Sequence, residues 1–131
     1  MIELRVRFIN PGGEDRKMLQ GADSLKEGRE YVVLEIFIPA GKSPLFRVEF
    51  ISGEDSALFD SRLFTVTSSE IPSTWNYFQL ESGSVSLCPE TWNRVGFWED
   101  FYDRDRGACE TYEAEKGKIL AQSAPPTAAR K

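Results

Sequence analysis

Histidine is absent from the whole chain. Imidazole titrates near neutral pH and is the commonest metal ligand, so its absence removes serine–histidine and cysteine–histidine catalysis and most zinc sites together. Cysteine is almost as scarce, with Cys88 and Cys109 the only two. Their spacing leaves a disulfide open, while in a reducing compartment they read as free thiols in or near the core. Cys88 stands directly before Pro89, where a helix dipole would lower a thiol pKa. It is therefore the best single nucleophile candidate, but the chain supplies no imidazole to act as its base. No apolar run approaches the ~18 residues of a membrane-spanning helix. The start, Met1 to Phe8, alternates apolar and charged residues where a signal peptide needs an unbroken apolar stretch. The expectation is a cytoplasmic chain that stays off the membrane. Positive charge is also short, with 16 Lys and Arg against 21 Asp and Glu and a net charge of -5. Nucleic acids and anionic membranes are polyanions, so both are disfavoured and a basic partner is favoured. The place to look for a local basic patch is the N-terminal quarter, with Arg5, Arg7, Arg16, Lys17, Lys26 and Arg29.

What is present is enough for one core. At 131 residues, 40% of them hydrophobic and 12% aromatic, the chain reads as a single domain over 1–121 with a disordered tail over 122–131, where Pro125-Pro126 and small residues bury too little to offset ordering entropy. Ile2 to Ile9 alternates apolar and charged residues as a half-buried strand does. The stretch 12–28 is polar and reads as a long loop. Tyr31 to Ile38 is nearly continuous in β-formers and predicts a central strand, pairing with Leu45 to Ile51 across a short turn. Leu63 to Thr67 predicts a further strand, and Trp75 to Leu80 with Ser84 to Cys88 predicts a hairpin around Glu81-Ser82-Gly83. Pro89 and Glu90 suit the first turn of a short helix to Arg94. Phe97, Trp98, Phe101 and Tyr102 recur at helical spacing, and a weaker stripe runs from Asp105 to Leu120. The fold class is α+β: a curled antiparallel sheet or small barrel of about six strands, followed by C-terminal helices.

The segment from Trp92 to Tyr112 carries the densest signal, because large aromatics alternate there with Glu99, Asp100, Asp103, Asp105 and Glu110. Aromatics bury and unpaired acids do not, so the pattern predicts helices with one docked face and one negative face. Glu99, Asp100, Asp103 and Asp105, joined by Glu54 and Asp55 in a turn and by Asp60, are the candidate partner-binding residues for a basic protein. The plain alternative is a surface kept charged for solubility. The run Asp103 to Gly107 resembles the opening of a calcium loop, but Ala108 and Ala114 stand where glycine and a bidentate glutamate are required, so no metal is expected. Carboxylate pairs can catalyse without histidine, yet nothing in the sequence makes these acids converge, and no catalytic residue or cofactor is assigned. Trp75, Tyr77 and Trp92 form a second candidate site, a stacking platform for a carbohydrate or small ligand, against the alternative that they fill the core. Gly12-Gly13 lacks the spacing and lysine of a phosphate loop.

At Trp75-Asn76, at Pro89-Glu90-Thr91-Trp92 and along Gly96 to Asp103, the chain resembles small bacterial immunity-type proteins of polymorphic toxin and contact-dependent inhibition systems. The likeness is one of size, acidity and a sheet followed by acidic aromatic helices. It implies tight binding to a toxin domain, often over a basic active site. A subunit of a larger assembly, burying Phe97 to Tyr102 against its own copy, is a further expectation to be tested.

Overall fold

The computed structural model describes residues 4–9, 21–51 and 55–121; the tail 122–131 and most of the loop 12–28 lie outside them. Among the described residues the strands are β1 (Leu4–Phe8), β2 (Glu30–Val32), β3 (Glu35–Ile38), β4 (Leu45–Ile51), β5 (Asp55–Asp60), β6 (Phe64–Ser69), β7 (Asn76–Gln79) and β8 (Val85–Cys88). Two helices follow, α1 (Phe97–Tyr102) and α2 (Arg106–Ala121). The strands form a three-stranded sheet, β2-β1-β6, and a five-stranded sheet, β5-β4-β3-β8-β7, with every pairing antiparallel. The class is α+β with C-terminal helices, and the sheets do not close into a barrel.

The expected strand over Tyr31 to Ile38 is two strands in different sheets. Val33 donates its N–H to Leu4 of the small sheet and the next residue, Leu34, donates to Arg47 of the large one, both at 2.8 Å. Both side chains are buried, so the continuous apolar run marks a corner shared by two sheets and not one central strand. The expected hairpins are present: β3 pairs with β4 from Glu35↔Arg47 to Phe37↔Leu45, and β7 pairs with β8 from Asn76↔Cys88 to Gln79↔Val85. β5 is an addition. Asp55, expected in a turn, starts a strand that runs beside β4 to Asp60. The expected helix after Pro89 is a 3-10 turn, Glu90–Asn93.

Alternation along the strands gives the large sheet two different faces. One face presents Phe46 to the small sheet, with the Phe46 and Phe64 rings 6.1 Å apart. The other presents Glu35, Arg47 and Glu49 to the helices, where the Arg47 guanidinium lies 3.5 Å from the Trp98 ring centre. Three layers result: small sheet, large sheet, helices. Trp92, Phe97, Phe101 and Tyr112 are all but fully buried in the helical layer, with the Trp92 and Tyr112 rings stacked at 5.4 Å and the Phe101 ring tilted against Tyr112 at 4.5 Å. Within the stretch expected to meet a second copy, Phe97 and Phe101 are buried in the chain's own core, while Tyr102 at its end is 47% exposed.

Candidate functional site

α1 is seated by a polar cluster beneath it. Arg47 is 4% exposed; it donates Nε to Glu35 at 2.6 Å and Nη1 to the Tyr102 hydroxyl at 2.8 Å. That hydroxyl in turn donates to the Ser56 carbonyl at 2.8 Å. Trp98 covers the guanidinium plane, so cation–π attraction and hydrogen bonds together replace the water Arg47 has lost. The chain enters α1 through Gly96 at φ 82, a left-handed conformation that glycine adopts without steric cost. A second cluster ties α2 to the same sheet: Glu49 accepts from the Tyr112 hydroxyl at 2.6 Å and from Lys116 at 3.0 Å. Burial, and then the Glu49 hydrogen bond, push the Tyr112 phenol well above its ordinary value. Burial works to lower Lys116, but its hydrogen bonds to Glu49 and Glu113 outweigh that and hold it above the usual lysine value.

These clusters sort the expected partner-binding acids into two groups. Asp100 pairs with Arg94 at 3.2 Å and Asp55 with Arg104 at 2.9 Å. Asp105 caps α2, accepting the Ala108 N–H at 2.9 Å. Asp60 accepts from Arg62 by side chain and backbone, and these bonds hold its carboxyl below the ordinary range. Glu99 and Asp103 are exposed and make no ion pair among the described residues; Glu54 lies outside them. The acidic face is therefore smaller than its composition implies, and its uncompensated charge lies along one face of α1, from Glu99 in the first turn to Asp103 at the C-cap. Tyr102, between these two acids in sequence, is 47% exposed, and Val95, just before α1, is 94% exposed; the sequence did not mark Val95 as a contact.

The stacking platform does not form. Trp92 is 1% exposed and Trp75 8%, both inside the core, and only Tyr77, at 64%, faces solvent. Aromatics at strand and helix spacing here fill the space between layers. Cys88 is buried, and burial followed by the nearby Glu35 charge raises its pKa, the reverse of what a nucleophilic thiol needs. Pro89 opens only a 3-10 turn, so the dipole that would lower that pKa is lacking. A cleft of about 240 Å³ opens between the large sheet and residues 93–99, lined by Glu35, Arg47, Ser86, Asn93, Arg94 and Glu99. Its buried acid and buried base already satisfy each other. No group of three or more metal-ligating side chains occurs among the described residues. No family model, curated protein or solved structure matches the chain.

Proposed function

We propose that this chain is a non-catalytic binding protein that holds a basic protein partner on the exposed face of α1. The observation that carries this reading is the juxtaposition, on a rigidly seated helix, of the unpaired carboxylates Glu99 and Asp103 with the exposed flank of Tyr102. Glu99, Tyr102 and Asp103 fall three and four residues apart and so share a helix face. Tyr102 has its hydroxyl fixed inside by Arg47 and Ser56 and its ring edge outside, which makes it a preorganised aromatic anchor with little entropy left to lose. The carboxylates raise the encounter rate with a positive surface and select against negative ones. The finer form of the proposal is immunity-type: the partner is a basic toxin domain that the acidic helix covers. Size, net negative charge and the sheet-then-acidic-helix order support it.

The test is affinity capture from lysate of the source cell with the native chain and with Glu99→Lys/Asp103→Lys, followed by association kinetics with the protein recovered. The expected result is a basic protein bound by the native chain alone, with an on-rate that falls at least tenfold from low to high salt. A partner bound equally by both forms, or a salt-independent on-rate, overturns the reading.

A further inference from the structure

Edge strands expose unpaired backbone groups, and folded proteins guard them with charge, proline, bulges or brevity. Among the described residues the two sheets have four edge strands, and three of them are guarded. On β2, Glu30 pairs with Arg5 and Arg7. β5 begins and ends on Asp55 and Asp60, which pair with Arg104 and Arg62. β6 carries a bulge where its register with β1 shifts. β7, Asn76-Tyr77-Phe78-Gln79, has neither charge, proline nor bulge, and its register with β8 is continuous. β8, Val85-Ser86-Leu87-Cys88, is likewise uncharged at neutral pH.

The outward groups of β7 can be identified. Leu80 donates to the Ser84 carbonyl at 2.9 Å, which makes 80 and 84 a hydrogen-bonded pair. Such pairs alternate along an antiparallel ladder, so Phe78 and Asn76 bond inward to β8, and the N–H and C=O groups of Tyr77 and Gln79 point away from the sheet. Neither residue has another backbone partner among the described residues. On the face shared by their side chains, Ile36, Leu87 and Tyr77 form one lateral row and Ile38, Val85 and Gln79 the next.

We propose that two copies of this chain pair antiparallel through β7 about a two-fold axis centred on Phe78, joining their large sheets into one. In that register Tyr77 of each copy lies opposite Gln79 of the other, and the two pairs exchange about four hydrogen bonds. The symmetry also sets the Ile36–Leu87–Tyr77 row of one copy against the Gln79–Val85–Ile38 row of the other, so a continuous uncharged strip crosses the axis. A second copy fits because the outward groups are self-complementary in this register, and because β7 and β8 place no charge at the contact of two chains that each carry -5. So short an edge falls below the ~1,000 Å² of a permanent interface, and the dimer is reversible and concentration-dependent.

The experiment is sedimentation velocity from about 1 µM to about 1 mM, together with amide exchange, on the native chain, Tyr77→Lys and Gln79→Pro. The proline removes an outward N–H and no inward one, while fixing φ at that position; the lysine variant guards the edge without touching the backbone and carries the test if the proline variant does not fold. The expected results are a mass rising toward twice the monomer, exchange at Tyr77 and Gln79 slowing with concentration in the native chain, and a dimer dissociation constant at least tenfold higher in both variants. Dimerisation strengthens with salt, because salt screens the repulsion of like-charged copies, whereas binding of a basic partner weakens with salt. A monomer at every concentration, or a dimer that Tyr77→Lys leaves intact, overturns the proposal.

Discussion

Arg47 shows how much a single side chain here depends on its surroundings. Its charge is out of water, and Glu35, Tyr102 and Trp98 take the place of solvent. Removing Glu35 alone leaves that charge without its counter-ion, so Glu35→Ala is expected to cost about 3–5 kcal/mol by urea denaturation. The double change Glu35→Leu/Arg47→Met removes both charges and fills similar volume, and is expected to cost much less than the single one. Equal losses in the two would mean that the pair is not what holds the layer. Lysine at 47 has neither the planar fork for Glu35 and Tyr102 nor a plane to lay on Trp98, so Arg47→Lys is expected to destabilise as well. The sequence concealed this residue. In Leu45 to Ile51, Arg47 and Glu49 alternate with apolar neighbours, and periodicity separates the two faces of a strand without saying which meets water. Of the groups that satisfy them, Glu35 stands opposite Arg47 across the β3–β4 hairpin, while Tyr102 on α1 and Tyr112 and Lys116 on α2 lie far along the chain.

At the scale of elements, legibility follows the range of the information. Both hairpins were readable, since turn chemistry and alternation are local. The split of Tyr31 to Ile38 was not, since only the location of the acceptors, Leu4 for Val33 against Arg47 for Leu34, distinguishes a corner from a straight strand. The candidate site was half legible: the acids on α1 were visible, while the arginines that neutralise Asp55 and Asp100 were not separable from solvated ones. Asp105 illustrates the same limit, because it was grouped with the partner-binding acids and instead caps α2. Asp105→Ala is therefore expected to lower stability by about 1 kcal/mol, and Asp105→Asn by much less, since asparagine caps nearly as well. Chemical denaturation of the pair of variants checks this, and an equal loss in both would assign the effect to charge. Gly96, at φ 82, is open to a side chain sterically but not conformationally. Gly96→Ala is expected to cost roughly 1 kcal/mol and, by shifting α1, to weaken partner binding beyond that stability loss.

For the whole molecule, pH reports how the layers are fastened. On the acid side, the Thr67 hydrogen bond and then the Arg5 and Arg7 charges lower Glu30, and Arg62 lowers Asp60. Groups depressed on folding contribute stability that is present above their unfolded values and is lost as pH falls through the folded ones. On the alkaline side, Tyr112 and Lys116 are both raised above their ordinary values of 10.0 and 10.5. Their contribution is complete below those values and is lost as pH rises past them, because the unfolded chain releases protons that the folded one retains. Both groups share the acceptor Glu49 on β4, so both protons fasten the helical layer to the large sheet. Thermal melts from about pH 2 to pH 12 should give a plateau with falling arms on both sides. In Lys116→Gln the neutral-pH melting temperature should drop while the alkaline arm becomes shallower, since one of its two titrating groups is gone. An alkaline arm of unchanged slope in that variant would show that Lys116 binds its proton no more tightly in the folded chain than in the unfolded one, and that the attachment of α2 to β4 rests on the tyrosine alone.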